Sequence, residues 1–208
     1  MDPNFALIPS GLLSSPRFFV RQKRELAELI GFETRNKYSI STEQGEVAFA
    51  AEQQKGFLGL LMRQFLGHWR TFEIVFFGVD RQPLFRALHP FRFFFQRIEV
   101  YTPDGRLVGA LQQRWSFFMK RFDVQDALGN LSLEMRSGFF RFWTFPFLRG
   151  EKQVGSIEKK WTGLLNEAFT DKDTFLVQMT PDLKPDERIL MLAAAIFVDL
   201  QYFERQAR

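Results

Sequence analysis

The 208-residue chain contains no cysteine. That excludes a disulfide framework, a thiolate zinc site and a thiol nucleophile, and it permits a reducing compartment. Histidine is nearly as scarce: His68 and His89 are the only two, and both read as structural or exposed rather than catalytic. A phosphate-cradling glycine loop, a metalloprotease helix and a nucleophile elbow are also missing, so no hydrolase or transferase chemistry is legible. Residues 1–15 carry no basic segment leading into a long apolar stretch, so no secretory signal is read and the expected location is the cytoplasmic side. No apolar run reaches the roughly twenty residues that a hydrocarbon crossing requires.

What is present is an unusual share of one ring. Phenylalanine occurs 27 times against four Trp and three Tyr, within a composition that is 46% hydrophobic and 25% charged. Such a composition folds, and the excess of Phe leaves some rings for purposes other than a core. The net charge of +4 and the pI near 9.5 suit an anionic partner, either lipid headgroups or nucleic acid. The length fits one β-rich domain.

The pattern along the chain is mostly alternation. Residues 1–16, rich in Pro, Gly and Ser, read as a flexible N-terminal arm, and residues 17–208 as the folded domain. A first strand is placed at 18–20. Residues 21–30 carry Leu26, Leu29 and Ile30 at helical spacing but are short, and their type stays open. A hairpin follows at 38–41 and 47–50, around Gln44-Gly45. Further strands are predicted at 72–77, 84–88, 91–101, 107–115, 118–124, 131–135, 140–148, 154–161 and 175–179. Reversals fall at Asp104-Gly105, Gly129-Asn130 and Arg149-Gly150. Residues 54–66 break the rhythm and predict a short helix, with apolar residues spaced by three and four. Many short strands at near-regular spacing predict a barrel or sandwich.

The last segment differs in kind. Pro185, Asp186 and Glu187 suit a helix start, and 189–198 is then uninterrupted apolar up to Asp199. A helix greasy on every side is either a membrane span or the centre of a fold, and this run is short for a span. It therefore predicts a core helix over about 185–204, with Leu190, Ala194 and Phe197 facing strands on all sides and Asp199 needing a buried partner. Single-pass insertion is the alternative.

The stretch Lys159-Lys-Trp-Thr-Gly-Leu-Leu-Asn-Glu-Ala-Phe-Thr-Asp171, followed by Asp173-Thr-Phe-Leu-Val-Gln178 and by Val198-Asp-Leu-Gln-Tyr-Phe-Glu204, resembles the signature of the phospholipid scramblase family. Gly31-Phe-Glu-Thr-Arg-Asn-Lys-Tyr38 and Gln96-Arg-Ile-Glu-Val100 continue the match. The family is similar to Tubby C-terminal and LURP-one-related domains, which implies a mainly β fold: a closed twelve-stranded barrel enclosing a hydrophobic C-terminal helix. It also implies a peripheral protein that binds anionic phospholipid and moves it between leaflets in a calcium-responsive way. The alternative is a non-catalytic lipid-binding scaffold or regulatory module with protein partners; nucleic-acid binding ranks lower.

Where the family's eukaryotic members carry cysteine clusters that can be palmitoylated, this chain has Phe91-Arg-Phe-Phe-Phe95 and Phe139-Phe-Arg-Phe-Trp-Thr-Phe-Pro-Phe-Leu-Arg149. Rings and cations there would settle at a membrane interface in place of a lipid anchor. The candidate lipid-binding residues are Phe57, Leu61, Arg63, Phe91, Phe139, Phe140, Arg141, Trp143, Phe147, Lys159 and Lys160; packing inside the barrel is the competing role for the rings. The resemblance maps a calcium segment onto 171–182, with carboxylates Asp171, Asp173 and Asp182. Phe175 and Leu176 stand where a calcium loop needs a ligand and a glycine, so only weak binding is expected.

Overall fold

The computed structural model describes residues 8–23, 36–53, 71–117, 119–137, 143–160 and 174–203. Across them the chain forms a short helix α1 (Ser10–Ser14) and then strands β1 (Arg17–Lys23), β2 (Lys37–Thr42), β3 (Gly45–Gln53), β4 (Phe72–Gly78), β5 (Pro83–His89) and β6 (Arg97–Tyr101). β7 (Leu107–Arg114), β8 (Arg121–Asp126), β9 (Leu131–Arg136), β10 (Thr144–Arg149), β11 (Lys152–Lys160) and β12 (Thr174–Met179) follow. The chain then enters helix α2 (Pro185–Val198), which continues as a π-helical turn, Asp199–Phe203.

Each strand pairs antiparallel with its neighbours in sequence, and β12 returns to β1, with Phe18 opposite Val177, to close the barrel. Closure removes the free strand edges that an open sheet would expose. The alternation in sequence becomes inside and outside. Ile98, Val100, Leu111, Phe122, Val124, Leu133 and Met135 point inward and are buried. The outer wall carries ion pairs instead: Arg97–Glu99 at 2.7 Å, Arg114–Asp123 at 2.7 Å, Arg121–Glu134 at 3.1 Å and Arg86–Glu73 at 3.3 Å. A membrane-spanning β barrel has the opposite polarity, with an apolar outer band around a polar lumen.

Helix α2 fills the lumen. From Glu187 to Val198 every residue is buried, and each large apolar side chain among them is stabilised by about 1.5–3 kcal/mol on leaving water. Phe197 meets the Phe122 ring edge-on at 5.7 Å and lies 5.8 Å from the ring of His89. His89 in turn stacks on Phe72 and holds Gln96 at 2.7 Å, so it is part of the core. At two glycines the wall leaves room for the helix: a Cβ on Gly109 would lie 2.8 Å from Leu190, and one on Gly155 would lie 2.5 Å from Met191. Among the described residues no helix is long and apolar enough to cross a membrane.

The helix start is fastened to the barrel floor. The Glu187 carboxylate accepts hydrogen bonds from the Lys184 backbone N–H at 2.8 Å, from Arg149 at 2.6 Å and from Ser132. Arg188, buried beside it, donates to the carbonyls of Ser15 and Thr180. Together with the burial of Ile8 and Leu12, this corrects the reading of a loose arm up to residue 16. From Ile8 onward the segment lies against the core, and α1 packs on α2.

Two other expectations change. The strand predicted over 91–101 begins only at Arg97; residues 91–95 lie outside the ladder and are exposed. The start of the strand predicted over 118–124 likewise moves to Arg121. The helix predicted at 54–66 lies outside the described residues.

Candidate functional site

Because the strands run up and down in sequence order, the connections sort to two ends. Tight turns join β2 to β3, β4 to β5, β6 to β7, β8 to β9 and β10 to β11 at one end. Gly105 (φ 90°) and Gly150 (φ 61°) supply the left-handed backbone that two of these reversals need. The connections β1–β2, β3–β4, β5–β6, β7–β8, β9–β10 and β11–β12 all leave from the other end, here called the rim. Helix α2 enters at the tight-turn end, after β12, and its π-helical turn reaches toward the rim.

Among the described residues every exposed aromatic side chain belongs to the rim. Phe91, Phe93, Phe94 and Phe95 come from the β5–β6 connection, Trp115 and Phe117 from β7–β8, and Trp143 from β9–β10. Phe94 and Phe117 are 84% and 77% exposed, so neither contributes to the core. The rings make local pairs: Phe91 meets Phe93 edge-on at 5.0 Å, and Trp115 meets Phe117 at 4.2 Å. The exposed Met119 continues the second group. Arg92 and Lys120 are the charged side chains in the described parts of these connections, and no carboxylate occurs among them.

Two lysines lie where the helix ends. No cation occupies the last turn of α2 itself, yet a helix C-terminus carries partial negative charge. The wall provides the cations. Lys120 places its Nζ 3.3 Å from the centre of the Tyr202 ring, and Lys159 places its Nζ 4.2 Å from the centre of the Phe203 ring and 5.5 Å from that of Phe175. Such cation–ring contacts are worth about 0.5–2 kcal/mol each. Burial lowers the Lys120 ammonium to about 8 and pushes the Tyr202 phenol well above its usual range.

The structure divides the residues singled out in the sequence. Phe91 and Trp143 are exposed at the rim. Phe147 is not: opposite Gly155 and Met135 it points inward and is fully buried, which corrects its assignment to a lipid-facing surface. Lys159 is likewise drawn inside, whereas Lys160 points outward and pairs with Glu158 at 2.8 Å. Phe57, Leu61, Arg63, Phe139, Phe140 and Arg141 lie outside the described residues. The reading of the sequence missed Phe93, Phe94, Trp115, Phe117 and Lys120 as individual site residues; the first three fall within predicted strands, where β propensity and ring exposure give the same signal, and Phe117 falls in the gap between two of them.

The core positions Leu190, Ala194 and Phe197 are buried in α2, and Asp199 accepts a hydrogen bond from the Tyr38 hydroxyl at 2.8 Å. Of the carboxylates mapped as a calcium set, only Asp182 is described. Asp171 and Asp173 lie outside the described residues, and the middle of the segment is β12, about 20 Å of extended chain. Asp182 follows that strand at the tight-turn end, held by Lys152 at 3.1 Å and Arg149 at 3.2 Å. A hydrogen bond from Thr180 and another from Lys152 bring its carboxyl down to about 2. These partners already occupy Asp182, and among the described residues no group of three or more acidic or imidazole side chains is placed to hold a metal ion.

The match to known proteins runs through this whole arrangement. The Scramblase family model covers residues 4–205. The chain belongs to the Scramblase family. It is 29% identical to Phospholipid scramblase 1 of Homo sapiens over 90% of this chain and 63% of that protein. It is 31% identical to Phospholipid scramblase 2 of Bos taurus over 90% of this chain and 68% of that one. The chain thus spans less than two thirds of the human scramblase's length. A solved structure of an Arabidopsis thaliana protein shares the fold, with a TM-score of 0.50 at 10% identity, covering 98% of this chain and 99% of the other.

Proposed function

We propose that this scramblase-family chain is a peripheral membrane protein that binds anionic phospholipid and acts on its distribution between leaflets. The observation that carries the reading is the combination, at one rim, of exposed rings with Arg92 and Lys120 in loops whose described parts hold no Asp or Glu. Aromatic rings favour the interfacial layer of a bilayer, and Lys and Arg are attracted to its anionic headgroups. A charge-covered wall and a lumen packed with α2 support a protein that works from the membrane surface.

A second reading, lipid binding without transport, is favoured by the filled lumen. A headgroup crossing about 30 Å of hydrocarbon needs a polar path, and helix α2, buried from Glu187 to Val198, occupies the lumen. Liposomes carrying a leaflet-reporting lipid separate the two: a faster loss of asymmetry on adding the protein supports lipid movement, while binding with unchanged asymmetry leaves the scaffold reading. The calcium-responsive part of the proposal is put to the same assay. With Asp182 tied to Lys152 and Arg149, it rests on Asp171 and Asp173, and a weak response is expected. No binding to anionic vesicles under any condition would sink both readings.

A further inference from the structure

We propose that the barrel docks upright on an anionic bilayer, with the β5–β6 and β7–β8 connections as its contact face and the tight-turn end directed into water. The inference rests on the lipid-binding reading above and adds to it the face, the orientation and the residues.

Three observations on different parts of the molecule lead to the same face. The wall is unsuited to contact: entering the interface sideways would strip water from Arg97–Glu99, Arg114–Asp123 and Arg121–Glu134, all on its outer surface. The tight-turn end offers no net attraction, because Glu43, Asp80, Asp104, Asp126, Glu151 and Asp182 in or beside its turns offset Arg17, Arg81, Arg106, Arg149, Lys152 and Lys184, with Glu43 paired to Arg17 and Asp182 to Lys152 and Arg149. The rim reverses both properties. Phe94 and Phe117, from loops separated in sequence by all of β6 and β7, stand exposed at the same end beside Arg92 and Lys120. Charge also favours a bilayer over a second copy of the chain, because two such rims meeting face to face would oppose like charges.

The absence of cysteine permits a direct test on the full chain. Single cysteines introduced as Phe94→Cys, Phe117→Cys, Asp80→Cys and Asp104→Cys each accept an environment-sensitive fluorophore. The four proteins are mixed with vesicles of phosphatidylcholine containing about one quarter phosphatidylserine. Labels at 94 and 117 are expected to shift to the blue and to be quenched by brominated acyl chains, while labels at 80 and 104 stay as in water. The unlabelled double variant Phe94→Ser/Phe117→Ser is expected to lower vesicle partitioning on the order of tenfold with an unchanged melting temperature, since both rings lie outside the core.

Binding with equal responses from all four labels, or with the response at 80 and 104, would overturn the orientation and leave the lipid-binding reading standing. Equal binding to vesicles of phosphatidylcholine alone would overturn the role given to charge. Rim-dependent self-association without vesicle binding would assign the face to a second copy. Absence of any vesicle binding would remove the underlying reading, and this inference with it.

Discussion

Single side chains carry the most specific consequences. Asp199 is a carboxylate in an apolar lumen, and the Tyr38 hydroxyl donates to it at 2.8 Å across most of the chain length. Tyr38→Phe keeps the ring and deletes one hydrogen bond to a buried carboxyl group, which should lower stability by about 1–3 kcal/mol in urea denaturation. Lys120 makes a different prediction. Burial holds its folded-state value at about 8, below the ordinary 10.5, so between those values the folded protein binds fewer protons than the unfolded one and stability rises with pH. The charge at the rim is lost over the same range. Vesicle binding should therefore weaken from pH 7 to pH 9, about the folded value of this group. Lys120→Arg, which keeps its charge, should flatten that profile; an identical pH profile in both proteins would remove Lys120 from the contact.

Among the elements, α2 and two strands of the wall around it leave little room for change. Gly109 on β7 and Gly155 on β11 leave room for the helix and for the neighbouring backbones: a Cβ at Gly109 would stand 2.3 Å from the Gln125 carbonyl, and one at Gly155 2.6 Å from that of Gln178. Backbone cannot swing aside as a side-chain tip can, so Gly109→Ala and Gly155→Ala should each cost about 1–3 kcal/mol by thermal or urea unfolding. Ala194, fully buried inside the barrel, gives the complementary case. Ala194→Leu overfills a packed layer and should destabilise by a similar ~1–3 kcal/mol, whereas the same change on an exposed helix face would be nearly neutral.

For the barrel as a unit, strands and helix depend on one another. The strands close only around a filled lumen, and α2 is too apolar to remain in water alone. Unfolding should accordingly be one cooperative event, with far-ultraviolet circular dichroism and tryptophan fluorescence reporting the same denaturant midpoint. Separate midpoints would mean that the helix leaves before the barrel opens. The paired wall, the charge-balanced turns and the aromatic rim also give the molecule a polarity along its length, and membrane docking would use it as a whole.

Much of this architecture follows from local pattern. Ten apolar residues after Pro185 require enclosure whatever surrounds them, and alternation punctuated by Asp104-Gly105 and Arg149-Gly150 requires paired strands, since both are short-range consequences of side-chain polarity and backbone freedom. The destinations of the phenylalanines do not follow in that way. Phe147 and Phe94 sit in equally ring-rich stretches, yet ladder register turns the first into the lumen, while the second lies in a connection beyond the last strand pair. Lys159 is likewise drawn over Phe203 by a pairing with Phe175 that no local spacing shows. Inside and outside are properties of closure, set by contacts between strands far apart in the chain, and the site depends on them.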